Sequence, residues 1–238
     1  MTPRRLAALS ASAVLVTGLL AGCGSGTTSQ AASSASPSAL AWHGVEPDPV
    51  PSRPSFVLTT TEGERYDFAE ETGGKPTLLY FGYTDCPDEC PTAMADISAA
   101  LRATPRDLRE RVQVVFVTTD PARDDAARLR SWLDQFSRDY IGLVGTQAEV
   151  DAAQSATGVR PAEKGDEVPT LPGKPNEHVH KPGTAPHTHD RPLGYAVAHA
   201  NVIFAFDTRD RLPVLYPGGV RPADIAADLP HLDQGDAP

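Results

Sequence analysis

Residues 76–83, Pro-Thr-Leu-Leu-Tyr-Phe-Gly-Tyr, form an unbroken apolar run that passes straight into Thr84-Asp85-Cys86-Pro87-Asp88-Glu89-Cys90-Pro91. A short run without polar alternation suits a strand buried on both faces, which demands covering layers above and below it. Residues 112–118 (Val-Gln-Val-Val-Phe-Val-Thr) form a second such run. Between them, Pro91 to Ala103 reads as a helix, with proline near its first position and apolar residues at Met94, Ile97 and Leu101. The pattern continues with a helix over Asp124–Ser137, a brief strand over 141–144 and a helix from Thr146 to Thr157 stopped by Gly158. Residues 160–198 read as mostly loop. A strand Val202–Phe206, its partner 213–216 and a closing helix Pro222–Leu229 end the pattern.

Before the first buried run, Phe56–Thr60 and Arg65–Phe68 flank Glu62-Gly63-Glu64 as a short hairpin. Strands alternating with helices predict an α/β domain with a central mixed sheet flanked by helices and an N-terminal hairpin. A final antiparallel pair followed by a helix is the thioredoxin-like order. Hydrophobic residues make up 40% of the 238 residues, enough for a packed core, whereas 23 prolines and 19 glycines predict long irregular stretches.

The N-terminus reads as an export address. Arg4 and Arg5 precede an apolar run over residues 6–20, too short to span a bilayer comfortably and suited to a signal peptide. Leu20-Ala21-Gly22-Cys23 resembles a bacterial lipobox, which implies cleavage after residue 22 and lipidation of Cys23. Cleavage leaves 19 basic against 31 acidic side chains and takes the formal charge from −10 to −12. That balance excludes nucleic acid as a partner, because phosphate neutralisation needs a basic surface. It also leaves the lipid as the hold on the membrane. The expected organisation is a signal peptide at 1–22, a lipidated flexible tether at 23–53, the folded domain at 54–232 and a tail at 233–238. The tether is rich in Ser, Ala, Gly, Thr and Pro; its roughly 30 residues give a mean reach on the order of 30 Å.

Three cysteines exclude a disulfide-dense scaffold. With Cys23 given to lipid, Cys86 and Cys90 remain as a pair at a strand-to-helix junction, where open α/β sheets place their ligands. Helix-start amides favour a thiolate there. Two cysteines four apart in a turn can form a disulfide if their Cβ atoms approach to about 3.8 Å. They can equally hold one soft metal ion. A redox thioredoxin motif has two residues between its cysteines, and this pair has three. Asp85, Asp88 and Glu89 surround the pair with negative charge, which a bound cation would offset.

The stretch Tyr80-Phe81-Gly82-Tyr83-Thr84-Asp85-Cys86-Pro87-Asp88-Glu89-Cys90-Pro91 resembles the signature of the Sco/SenC family, thioredoxin-like, membrane-tethered copper proteins that help assemble the CuA centre of cytochrome c oxidase. The match extends through Thr119-Asp120-Pro121-Ala122-Arg123-Asp124, Phe136 and Gly142-Leu143-Val144-Gly145. The resemblance implies a copper site made of Cys86, Cys90 and a distal histidine just before the last buried strand. Tyr195-Ala196-Val197-Ala198-His199-Ala200 matches the family's Tyr-x-Val-Asp-His-Ser at Tyr195, Val197 and His199, which assigns His199. The acidic and hydroxyl neighbours of the family are both alanine here, removing a partner that would orient the imidazole. Two thiolates and one imidazole suit three-coordinate Cu(I), whereas Zn(II) wants a fourth ligand; within the family the same site extends to Cu(II).

Four other histidines, His178, His180, His187 and His189, form two His-x-His pairs in a Pro-, Gly- and Thr-rich loop at 174–192. They are auxiliary metal candidates, able to gather copper for Cys86 and Cys90, and equally readable as a solvated variable loop. Asp120 ends the second buried strand near the cysteines, as an orienting group or a turn cap. Met94 reads as core despite a thioether that suits Cu(I). His43 and His231 fall in tether and tail and take no role.

Two functions stand open. One is a metallochaperone, lipid-anchored on the extracytoplasmic face of the cell membrane. It would deliver copper to the CuA-bearing oxidase subunit, with another extracytoplasmic copper chaperone as a further partner. The other is a thiol–disulfide oxidoreductase using Cys86 and Cys90 to keep such partners reduced. A peroxidase reading is weaker, since no basic residue lies next to either cysteine in sequence.

Overall fold

A computed structural model describes residues 41–167 and 195–236. Strands β1 (Val57–Thr60) and β2 (Arg65–Asp67) form the expected hairpin around Gly63, whose φ of 89° is the left-handed turn that glycine adopts without strain. Helix α1 (Phe68–Thr72) leads to β3 (Thr77–Gly82). Helices α2 (Glu89–Ala103) and α3 (Arg106–Arg109) precede β4 (Gln113–Thr118). Helix α4 (Ala126–Leu133), β5 (Ile141–Val144) and α5 (Gln147–Ala156) follow. Then come β6 (Glu163–Glu167), β7 (Tyr195–Ala198), β8 (Val202–Phe206), β9 (Val214–Pro217) and α6 (Pro222–Gln234).

Seven strands form one mixed sheet in the order β2-β1-β5-β4-β3-β8-β9. β3, β4 and β5 run parallel, while β1, β8 and β9 join antiparallel to their neighbours. β3 is buried along its whole length, and its side chains alternate between two cores. Leu78 and Tyr80 enter one core with Met94, Ile97, Leu129 and Leu229. Leu79 and Phe81 enter the other with Phe68, Val150 and Phe206. Each such aliphatic or aromatic side chain contributes about 1.5–3 kcal/mol by burial; Thr77, at the start of the strand, is buried with its hydroxyl donating to the Lys75 carbonyl. This is the mixed, helix-flanked thioredoxin-like sheet that the sequence pattern implied.

Helix α2 begins at Glu89, two residues before the expected start. Pro91 therefore sits in the first turn, where its missing N–H leaves no intrahelical bond unmade. Helix α4 starts two residues later than expected, because Asp125 caps it by accepting the Arg128 N–H. Asp124, expected to open that helix, is instead buried.

Three expectations are corrected. The stretch 42–53, read as tether, packs on the domain. Trp42 is buried in the core, Val45 pairs with Leu215, and Arg53 is buried. The Arg53 guanidinium bonds Asp210, Thr72 Oγ1 and the Lys75 and Asp207 carbonyls. One tryptophan and one arginine among small residues carry no periodic signal, so the boundary at residue 54 fell too late. Within 160–198, read as loop, β6 and β7 pair antiparallel. Glu-Lys-Gly-Asp-Glu has no apolar alternation, and backbone pairing alone makes it a strand. Finally, α6 runs past the expected end at Leu229 to Gln234, and Asp233, placed in the tail, pairs with Arg111. Cys23, His178, His180, His187 and His189 lie outside the described residues.

Candidate metal centre

The sheet delivers the cysteine turn where the sequence places it, at the carboxyl end of β3. Asp88, at the N-cap of α2, makes no side-chain cap bond. The Cys86 sulfur takes part of that role and accepts the Cys90 N–H at 3.3 Å. It thus sits at the positive end of a 15-residue helix. Cys90 is fully buried, Cys86 is half-buried, and neither is in a disulfide. Gly82 makes this approach possible: a Cβ there would lie 2.9 Å from Cys90 Sγ.

His199 arrives from the other side, one residue after β7. Its Nε2 lies 3.4 Å from Cys90 Sγ. Its Nδ1 lies 3.2 Å from the Ala200 carbonyl, which can only accept. That bond places the ring proton on Nδ1 and leaves the Nε2 lone pair facing the sulfurs. The backbone carbonyl therefore does the orienting that the two flanking alanines cannot. Tyr80 and Tyr83 hold the ring edge-on, at 6.0 and 5.7 Å between centroids. The Tyr80 hydroxyl donates to Asn201 Oδ1.

The ligand atoms of Cys86, Cys90 and His199 lie within 4.8 Å of one another, the one such cluster among the described residues. Two sulfurs and one imidazole nitrogen form a soft donor set, and the donor chemistry fits a monovalent thiophilic ion better than a hard one. The two thiols differ sharply. The hydrogen bond from the Cys90 thiol, with the neighbouring His199 and backbone amides adding to it and burial opposing, holds Cys86 far below the usual thiol range. The bond to Cys86, reinforced by burial, pushes Cys90 far up. In the metal-free site the more exposed sulfur is the thiolate and the buried one its proton donor.

The expected ring of negative charge is smaller than the sequence suggested. Asp85 pairs with Arg128, and Arg123 approaches it to 3.8 Å. Asp88 and Glu89 are exposed and outside the donor cluster. Two arginines thus lie beside the cysteine turn although none is adjacent in sequence; carboxylates face both of them. Asp120 is buried and accepts the Tyr195 hydroxyl at 2.7 Å as well as pairing with Arg123, so its carboxylate orients partners on β7 and in its own turn. Met94 is fully buried in the core.

Asp124 is a support that the sequence reading missed. Its carboxylate accepts from Thr84 N (2.9 Å), Thr84 Oγ1 (2.5 Å) and Thr118 Oγ1 (2.7 Å), tying the cysteine turn to the end of β4. Its place in the Asp120–Asp124 motif was the available signal. Beside the centre, His199 borders an open depression of about 510 Å³ with Val159, Pro161 and Ala200.

A family model described as SCO1/SenC matches residues 46–180. The protein SenC of Rhodobacter capsulatus is 42% identical over 85 residues, 34% of this chain and 37% of that protein. Protein sco1 of Schizosaccharomyces pombe is 38% identical over 96 residues, 40% of this chain and 36% of that protein. The chain spans less than half the length of these relatives. Among solved structures, Bradyrhizobium japonicum ScoI with copper bound is 29% identical, with a TM-score of 0.58 over 77% of this chain and 100% of that one. Apo Sco1 from Thermus thermophilus is 27% identical, with a TM-score of 0.62 over 81% of this chain and 98% of that one.

Proposed function

This chain belongs to the SCO1/SenC family, and on that premise we propose that it binds copper through Cys86, Cys90 and His199 and passes it to the CuA-bearing subunit of cytochrome c oxidase. The observation that carries the reading is the convergence of two free thiols and an imidazole nitrogen within 4.8 Å. The copper-bound B. japonicum neighbour supports copper as the cargo. Cu(I) suits the three soft donors, and Cu(II) at the same residues is the second state.

The chain's own groups suit capture and release. The Cys86 thiolate, half-buried, is the first sulfur an incoming ion meets. Cys90 then gives up its proton, and His199 Nε2 completes the set. An open flank beside His199 gives a recipient access to that ligand. Lipid on Cys23 holds the protein on the extracytoplasmic face. Its support is Leu20-Ala21-Gly22-Cys23; no helix among the described residues is long and apolar enough to cross a membrane. Another extracytoplasmic copper chaperone is a candidate donor, and His178, His180, His187 and His189 are the candidate gathering loop.

The asymmetric thiol pair favours a second reading, thiol–disulfide exchange. The Cys86 thiolate would attack a partner disulfide, and Cys90, on losing its proton, would attack Cys86 Sγ. The partner leaves as a dithiol, and a Cys86–Cys90 disulfide carries the two electrons' worth of oxidation. Cu(I) titration of the reduced protein against a competing chelator separates the two. We expect one Cu(I) per chain, loss of binding in Cys86→Ser and Cys90→Ser, and weakened binding in His199→Ala. Wild-type affinity in His199→Ala, with disulfide reduction of a CuA fragment intact, would replace the chaperone reading by the second one.

A further inference from the structure

The two halves of the centre come from separate parts of the fold. Cys86 and Cys90 belong to the turn after β3, in the middle of the large sheet. His199 lies between β7, whose ladder partner among the described residues is β6 in a two-stranded ribbon, and β8, which pairs with β3 from Ile203 opposite Tyr80. The β3–β8 ladder brings the chain beside the strand that leads to the cysteines, but it ends at Ile203, before His199 is reached. On the β7 side, side chains tie the chain to the cysteine turn.

Arg123 touches both halves. On the cysteine side its guanidinium carbon lies 5.5 Å from the centre of the Tyr83 ring, and its Nη1 lies 3.8 Å from Asp85. On the histidine side the same carbon lies 3.7 Å from the centre of the Tyr195 ring, in the first residue of β7. The Asp120 carboxylate joins the two, pairing with Arg123 through one oxygen and accepting the Tyr195 hydroxyl at 2.7 Å through the other. Lys164, on β6, places its ammonium 3.8 Å from the centre of the same Tyr195 ring. Two residues beyond Tyr195, the Val197 N–H donates to the Tyr83 hydroxyl at 3.3 Å. A planar, permanently charged guanidinium can stack on rings and pair with a carboxylate at once. With only 17% of its side chain exposed, Arg123 is enclosed by these partners.

From this we infer that Arg123 is a positioning residue: it clasps Tyr195 and Asp120 to Tyr83 and thereby holds His199 at the Cys86–Cys90 turn. The inference rests on reading Cys86, Cys90 and His199 as one metal site. It assigns Arg123 no contact with the metal.

The test uses the reduced full-length protein in detergent. Cu(I) affinity is measured by chelator competition for wild type, Arg123→Met, Arg123→Lys, Tyr195→Phe, His199→Ala and the Arg123→Met/His199→Ala double variant. Amide hydrogen exchange at Val197 and Ala198 is measured on the same proteins without metal. Loss of a group that orients a ligand costs about 10–100-fold in metal affinity, so Arg123→Met should weaken Cu(I) binding at least tenfold. Arg123→Lys should recover part of that loss, and Tyr195→Phe should show a smaller one. The double variant should bind as His199→Ala does, because a clasp that acts through His199 has nothing left to position. Exchange at Val197 and Ala198 should accelerate in Arg123→Met while exchange along β3 stays as in wild type.

Equal, additive losses in the presence and absence of His199, or unchanged exchange at β7, would overturn the inference. Should Arg123→Met not fold, Tyr195→Phe decides on the same two readouts. A wild type that binds no Cu(I) sinks the metal reading itself; the exchange result then still tells whether Arg123 holds β7.

Discussion

Cys90 Sγ and His199 Nε2 lie 3.4 Å apart across a sequence separation of 109 residues. The contact is made on the buried side of the centre, while Cys86 stands on the more open side. The three donors are therefore unequal, and the consequences can be measured one at a time.

The thiols should react in order. Cys86 is the thiolate and Cys90 a buried thiol, so at mildly acidic pH an alkylating reagent should modify Cys86 and spare Cys90. Peptide mapping by mass spectrometry of the reduced, metal-free protein reads this directly. Preferential modification of Cys90 would reverse the assignment.

Gly82 sets how close Cys90 can come to β3. A methyl group there would stand 2.9 Å from Cys90 Sγ, 2.9 Å from Tyr80 and 3.0 Å from Phe116, all in closely packed surroundings. Gly82→Ala should destabilise the reduced protein by about 1–3 kcal/mol in urea unfolding, the usual cost of overpacking. The same change should weaken Cu(I) binding by displacing one ligand.

The segment before residue 54 should matter to folding. Trp42→Ala removes a buried indole and should cost about 3–5 kcal/mol. Arg53→Met removes the guanidinium's hydrogen bonds to Asp210, Thr72 Oγ1 and the Lys75 and Asp207 carbonyls and should cost about 1–3 kcal/mol. Urea midpoints check both; wild-type values would return this segment to the tether.

A pH-dependent contact joins the same segment to α6. His43 Nδ1 lies 2.6 Å from Asp228, and its backbone N–H donates to the other carboxylate oxygen, which also accepts from Tyr216. The hydrogen bond to Asp228 and that residue's charge raise the His43 pKa, with Asp224 adding to the rise and Arg221 opposing it. A histidine raised on folding stabilises fully below its unfolded value of 6.5 and loses that contribution as pH climbs through the folded value. The melting temperature of wild type should therefore exceed that of His43→Ala most at about pH 6, and the gap should narrow towards about pH 9. A gap that widens with pH contradicts this.

Several parts of this protein were legible in the residues alone. The double-sided burial of β3 shows as a run without polar alternation, and the redox or metal pair shows as two cysteines at the start of a helix. Both are local patterns, repeated over a few residues, and local patterns survive without coordinates. His199 was legible only through a family resemblance, since nothing in its own neighbours, Ala198 and Ala200, marks it as a ligand.

The tertiary structure decided the rest. It neutralised Asp85 with Arg128, placed Trp42 and Arg53 in the domain, and made strands of residues 163–167 and 195–198. It also brought Arg123 between Tyr83 and Tyr195. Each of these is a contact between residues far apart in the chain, and none leaves a periodic trace where it is made. Periodicity reports which face a segment buries; it carries no information about which partner waits there. The chemistry of Cys86 and Cys90 is thus a property of the sequence, and the presence of an imidazole beside them is a property of the fold.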